Sequence, residues 1–328
     1  MMNIAFAGFR HGHIYALLEW AKQLPDVNIV AAWEADEHSR EVAKLHGVLF
    51  THDSYEEMLK DSNIDVVAIG DYFAARGQKA IQALRAGKHV IADKPLCTDL
   101  SELNEIERLA KENGKKVGCM LDLRYRASTA IAKKLIQSGK LGKLHNISFT
   151  GQHSLGYGNR AGWYFEEGKQ GGTISDIAIH GIDLVRYITG AKLKRVLAAR
   201  CWNAYATEVP NFKDAAQFMI ELDGGIGLIA DVSYASPNGC KFTPKQYWRF
   251  TYWGENGALE FNYADNIVEL MITGAEKLQL LSGEDADSNP LKDFIADIND
   301  EEVELNTQSV LLSSRDTLTI QKFALDNE

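Results

Sequence analysis

Three ionisable residues stand at helical spacing in the segment TISDIAIHGIDLVRYI: Asp176, His180 and Asp183. At 3.6 residues per turn they share about 60° of one helix face. The residues around them, Ile177, Ile179, Ile182, Leu184, Val185 and Ile188, are apolar, so the helix is expected to be buried. Ionisable groups on a buried helix need partners, water or a cleft. One histidine held by two carboxylates would serve as a structural pair, but three aligned groups exceed that need. Imidazole exchanges protons near neutral pH, so the stripe points to acid–base chemistry with His180 as the proton carrier and Asp176 as its partner. A second reactive group is Lys94 in HVIADKPLC, residues 89–97, where an apolar run read as a parallel strand stops at Asp93, Lys94 and Pro95. A lysine there is a surface stem or a reagent, and Pro95 restrains the backbone that carries it.

A third stretch supplies the chemistry these groups would serve. NIAFAGFRHGHIYALL reads as strand, turn and helix, the setting in which a glycine loop and a helix N-terminus hold a pyrophosphate. The G-x-G-x-x-G pattern falls on Gly8, Arg10 and His13, so only its first glycine is kept. Arg10 can offset the loss with a charge-assisted phosphate contact. Glu34 ends the second strand about 26 residues after Gly8, near where an acid bonds the ribose 2′-hydroxyl, which favours NAD. Arg40 keeps NADP open. Gly8, Phe9, Arg10, His11, His13 and Glu34 are expected to contact the dinucleotide; Asp71 and Lys94, at the ends of later strands, are expected to do so as well. His11 and His13, with no matching Cys or acid cluster in sequence, make a poor ligand set, and no metal is expected. With a nicotinamide carrying the hydride, Lys94, His180 and Asp176 would orient an alcohol and stabilise charge on its oxygen.

The elements that must position these groups alternate over the first 120 residues. NIAFAG, NIVAAWE, DVVAIG, HVIAD and KVGCML read as strands. IYALLEWAKQL, SREVAKLHG, YEEMLKD, ARGQKAIQALRAG and LSELNEIERLAKENG read as helices. This βαβ order predicts a doubly wound parallel sheet, with ligands at the carboxyl ends of the strands. Past residue 125 come a helix at STAIAKKLIQSG, a strand near LHNISFTG, the helix bearing His180, and long strands in succession. These predict an α+β part with a large, mostly antiparallel sheet. Two helices, PLKDFIADI and TQSVLLSSRDTLTIQKFAL, end the chain. The expected division is a dinucleotide-binding domain over 1–122 and a substrate-binding and self-associating domain over 123–328. The loop GQHSLGYGNRAGWYFEEGKQGG offers Tyr157, Arg160, Trp163 and Tyr164 as substrate contacts.

Composition narrows the class. The 328 residues are 45% hydrophobic and 24% charged, as in an ordinary globular protein, and no run reaches the roughly 18–20 apolar residues of a membrane span. A net charge of −10 argues against nucleic acid. Nine acids and one lysine fall within residues 283–304, read as a solvated stretch. Cys97, Cys119, Cys201 and Cys240 are scattered, which suits core thiols in a reducing compartment. MMNIAFAGFR shows no secretory signal, so the cytoplasm is expected.

Taken together, AGKHVIADKPLC, LRYRASTAIAKKLIQSGKLGKL, GGTISDIAIHGIDL and GENGALEF resemble the glucose-fructose oxidoreductase, inositol dehydrogenase and MocA family over nearly the whole chain. The resemblance implies a nicotinamide-dependent oxidoreductase of a sugar, inositol or related polyol. By it, Lys94 is the lysine of the family's EKP motif, His180 the acid/base, Asp176 its partner, and Arg124 an arginine at the mouth of the second domain. It also implies a homodimer or homotetramer. Departures are Asp93 for Glu, Arg10 for a loop glycine, Arg76 for His and Ala178 for Gly; on the strength of the resemblance Asp93 is still expected to contact the dinucleotide. Two other readings of the same build are an NAD-retaining glycosidase, which also needs Lys94 and His180, and a non-catalytic dinucleotide-responsive regulator, which needs neither.

Overall fold

The computed structural model describes residues 1–327, which form two compact units. The first comprises Met1–Met120 with Ala161–Gly171 and Pro290–Arg315; the second comprises Leu121–Arg160, Gly172–Asn289 and the chain from Asp316 on.

In the first unit the chain alternates strand and helix: β1 (Met2–Ala7), α1 (His13–Gln23), β2 (Val27–Trp33), α2 (Glu37–Leu45), α3 (Tyr55–Lys60), β3 (Val66–Ile69), α4 (Phe73–Arg85), β4 (His89–Ala92), α5 (Leu100–Glu112) and β5 (Val117–Cys119). The strands pair in the order β2-β1-β3-β4-β5, all parallel. β3 and β4 read as unbroken apolar runs because helices cover both faces of such a sheet. The helices start where the sequence offers side-chain oxygens: Asp36 accepts from Ser39 N, Ser54 from Glu57 N, and Asp99 from Ser101 N and Glu102 N. The strand order reverses between β1 and β3, so the ligand crevice of this sheet opens above their carboxyl ends, at Gly8 and Asp71.

The acidic stretch departs from its reading as a solvated tract. Its helix Pro290–Ile298 lays Leu291 and Phe294 into the first unit's core, both at most 1% exposed. Gly118 makes the room, since a Cβ there would lie 2.7 Å from the Phe294 ring. Burying one such ring contributes about 1.5–3 kcal/mol, which explains why this segment leaves the solvent despite its charges. Lys116 meets two of those charges, Asp297 at 3.2 Å and Asp300 at 2.9 Å.

The second unit holds α6 (Ala127–Gln137), β6 (Leu144–Ser154) and α7 (Ile179–Thr189), followed by β7 (Leu193–Trp202), β8 (Ala215–Leu222), β9 (Ile226–Ser236), β10 (Arg249–Gly254), β11 (Gly257–Asn262), β12 (Val268–Ile272) and β13 (Gln279–Leu281). The sheet runs β13-β12-β11-β10-β6-β9-β8-β7, antiparallel except where β6 meets β9. α6 and α7 pack on one face. Alternation along β8 buries Phe218 and Ile220 while exposing Gln217 and Met219. β12 and β13 were not foreseen, being short strands at the edge of the sheet. A further difference lies just before α7: Ile174–Ala178 form a π-helical turn, so the spacing is not uniformly 3.6 residues per turn through Asp176. Of the cysteines, Cys97, Cys119 and Cys201 are buried, but Cys240 is exposed in the segment after β9 and is no core thiol.

Candidate active site

In the first unit the loop after β1 turns on Gly8, at φ +84°. Any side chain there would be strained and would run into Asp71, whose backbone N would lie 2.7 Å from the added Cβ. The close approach of the two strand ends therefore depends on glycine. Phe9 sends its ring into the core beside Phe6, Tyr15 and Phe50. Glu34, 1% exposed, accepts Phe9 N at 2.5 Å and Asp36 N at 2.8 Å, so it ties the β1 loop to the end of β2. Burial raises its pKa above the usual carboxylate value, against the pull of those two backbone donors. Arg10 lies among three acids, 2.7 Å from Asp36, 3.7 Å from Glu34 and 3.9 Å from Asp71. Asp71 also faces Lys79 at 3.5 Å.

A second knot forms at the exit of β4. Asp93 is fully buried and bonded through one oxygen to His11 Nδ1, while His13 Nδ1 lies 3.4 Å from its other oxygen. Arg76, equally buried, donates to the carbonyls of Asp71 (2.8 Å), Lys94 (2.5 Å) and Pro95 (3.2 Å) and to Asp93 Oδ2 (3.3 Å). It thereby clamps the backbone on both sides of the Lys94–Pro95 peptide, which is cis. Lys94 is itself 5% exposed, with its ammonium 5.8 Å from the centre of the Phe73 ring. Burial lowers the His11 pKa to about 4, with the Asp93 carboxylate opposing, so the ring is neutral at pH 7. Burial alone would raise Asp93, but His11, Arg76 and His13 hold its carboxyl well below the usual range. Trp163 and Tyr164, both 4% exposed, belong to this unit too. They stack on each other at 4.1 Å and meet Phe73 edge-on, and the Trp163 indole donates to Arg10 O at 3.0 Å.

In the second unit the polar stripe is divided among different partners. Asp176, in the π-helical turn, accepts from the Tyr234 hydroxyl. Asp183 takes Arg124 through two bonds, at 2.8 and 2.5 Å. His180, 6% exposed, sits edge-to-face with Trp248 at 5.7 Å. Gln321, on the C-terminal helix Thr307–Asp326, accepts from Ile174 N and Ser175 N at 3.1 and 3.3 Å and so caps the turn that carries Asp176. Arg160 donates to Leu155 O and Ser154 O at 2.7 Å, with its guanidinium 4.8 Å from the centre of the Tyr234 ring; Tyr157 is 51% exposed. Tyr234, Trp248 and Gln321 escaped the sequence reading because each acts through a contact between residues far apart in the chain. Arg76 entered it only as a departure from the family's histidine, and its hold on the Lys94 backbone was not foreseen.

Two family models match this chain: the NAD-binding Rossmann fold of an oxidoreductase family over residues 2–120, and the GFO/IDH/MocA C-terminal domain over residues 129–260. The chain belongs to the GFO/IDH/MocA family. The resemblance drawn from its motifs is borne out, and its first unit is an NAD-binding Rossmann domain. This family member is 30% identical to the levoglucosan dehydrogenase of Pseudarthrobacter phenanthrenivorans over 195 residues, 56% of this chain and 49% of that one. It is 31% identical to the scyllo-inositol 2-dehydrogenase (NAD(+)) of Bacillus subtilis over 206 residues, 61% of this chain and 58% of that one. The chain spans about half the length of the curated relatives it matches. A levoglucosan dehydrogenase solved in complex with NADH and levoglucosan shares the fold, with a TM-score of 0.80 at 18% identity, covering 100% of this chain and 98% of the other.

Proposed function

We propose that the protein is an NAD-dependent dehydrogenase that moves a hydride between nicotinamide and a secondary alcohol or ketone of a sugar, inositol or related polyol. The observation that carries this reading is Lys94: a buried ammonium in a Rossmann unit, at a strand's carboxyl end, on backbone clamped by Arg76. A cation held so firmly is suited to bonding a substrate oxygen. His180 exchanges the hydroxyl proton, with Asp176 setting its charge and orientation. The loop residues Gly8, Phe9, Arg10, His11 and His13, with Glu34, Asp71, Asp93 and Lys94, are assigned to the dinucleotide. Tyr157, Arg160, Trp163, Tyr164, Asp176 and His180 are assigned to the substrate, and Arg124 to the same region through its hold on Asp183. NAD is favoured over NADP because a 2′-phosphate near Arg10 would add its charge to that of Glu34, Asp36 and Asp71. The printed activities of the levoglucosan and inositol relatives support the substrate class.

In this reading residues 1–122 bind the cofactor and residues 123–328 bind substrate and self-associate. Met219, Ile229 and Trp253, 46%, 55% and 50% exposed, give the eight-stranded sheet an apolar outer face suited to a homodimer or homotetramer. Among the described residues no helix is long and apolar enough to cross a membrane, and a cytoplasmic enzyme is proposed. The test is a screen of inositols, sugars and sugar acids with NAD and NADP separately, followed by nicotinamide absorbance. Reduction by one polyol class with NAD preferred is the expected result. Glycoside cleavage without net reduction would replace the dehydrogenase by the transient-oxidation reading.

A further inference from the structure

His11 and Asp93 are 82 positions apart in sequence, yet the first unit joins them with His13 into one cluster. One ligand atom from each residue lies within 4.8 Å of the other two. His13 Nδ1 stands 3.4 Å from Asp93 Oδ1. Two ligand atoms on a tetrahedral zinc at about 2.0–2.1 Å would be about 3.3 Å apart, so this edge of the cluster already has the spacing of a shared cation. An independent observation comes from Asp93 itself. Its side chain is fully buried, and Oδ1 accepts no hydrogen bond from any described residue, whereas Oδ2 takes both His11 and Arg76. A buried carboxylate oxygen without a donor is costly, and here it is directed at an imidazole nitrogen.

We propose that His11, His13 and Asp93 form a binding site for a divalent transition cation of the zinc class. Two imidazoles and one carboxylate are a known zinc ligand type and leave a fourth position open. The surroundings set the selectivity. The guanidinium of Arg76 on Asp93 and the ammonium of Lys94 near His11 oppose any cation drawn in by net charge alone. Binding through imidazole lone pairs therefore selects zinc, cobalt or nickel over magnesium and calcium, which need six or more oxygens. The half-exposed ring of His13, 52% accessible, is the point of entry. The sequence hid this site because H-x-H lacks a third ligand until the fold brings β4 alongside the β1 loop.

The experiment is calorimetric titration of the full, chelator-treated chain with zinc chloride and with magnesium chloride, in the absence of dinucleotide. It is thus independent of the loop's assignment to the cofactor. The wild-type chain should take one zinc and no magnesium. His13→Ala, at a half-exposed position that the fold does not need, should weaken zinc binding by about tenfold or more. His145→Ala, at an exposed histidine elsewhere, should leave it unchanged. Asp93→Asn, checked for a cooperative melt, should weaken it as His13→Ala does. Equal zinc binding by wild type and His13→Ala, equal loss in His145→Ala, no zinc uptake, or magnesium bound as tightly as zinc would each overturn the proposal.

Discussion

The two units each bury an aspartate against an arginine, and they treat it differently. In the second unit Asp183 meets Arg124 through both oxygens, which closes its carboxylate on the guanidinium. In the first unit Asp93 shares one oxygen between His11 and Arg76, while Arg76 spends its other donors on three backbone carbonyls around Lys94. The closed pair fastens α7 to the segment before α6. The open one fastens the backbone of Lys94 and keeps polar capacity in reserve. Equal burial thus accompanies unequal roles, and the distribution of hydrogen bonds separates them better than the charges do.

The largest effect that would sharpen this contrast is kinetic. Lys94→Ala and His180→Ala should each lower kcat/KM by about 10³- to 10⁴-fold, or about 4–5.5 kcal/mol, while dinucleotide affinity measured by fluorescence stays near wild type in His180→Ala and falls by far less than turnover in Lys94→Ala. Turnover that survives Lys94→Ala would remove the reagent role proposed beside the open cluster, and turnover that survives His180→Ala would remove the acid–base role proposed for His180.

A smaller effect is expected in stability. Asp183→Asn leaves Arg124 buried without its counter-charge and should cost about 3 kcal/mol in denaturant unfolding. Asp93→Asn should cost about half as much, because Arg76 retains its three carbonyls and the amide oxygen can still face His11. Matching losses would break the distinction between closed and open pairs.

The smallest effect is a pH slope. The folded His11 pKa is lowered to about 4 by burial, below its ordinary value of 6.5. As pH falls from 6.5 towards 4 the unfolded chain gains a proton that the folded chain refuses, so stability declines by about 1.4 kcal/mol per unit at the steepest. His89, also lowered to about 4, shares the window. The measurement is therefore the difference between wild type and His11→Gln, both in chelator, from denaturant melts across this range. A slope unchanged by the substitution would show that His11 is not buried as described.

Much of this was legible in the sequence. The five parallel strands announced themselves as short apolar runs between amphipathic stretches, since a sheet covered on both faces leaves no polar alternation to confuse. Lys94, Asp176 and His180 stood out by type and spacing alone. Helix Pro290–Ile298 was foreseen as a helix, but its nine-acid surroundings hid that Leu291 and Phe294 enter a core; charge density describes a segment's surface and says nothing about a cavity waiting elsewhere. The regular 3.6-residue stripe failed at the π-helical turn, where Gln321, nearly 150 residues away, supplies the cap.

Local pattern, then, determined the element order and the parallel and antiparallel halves and singled out the residues proposed to react, because periodicity and strand-end chemistry are encoded between neighbours. Tertiary structure alone decided which charges meet: that Arg76 grips the Lys94 backbone, that Tyr234 bonds Asp176, and that Asp93 joins the two loop histidines. Those pairings depend on desolvation and distance between remote segments, and neither quantity exists until the chain has packed.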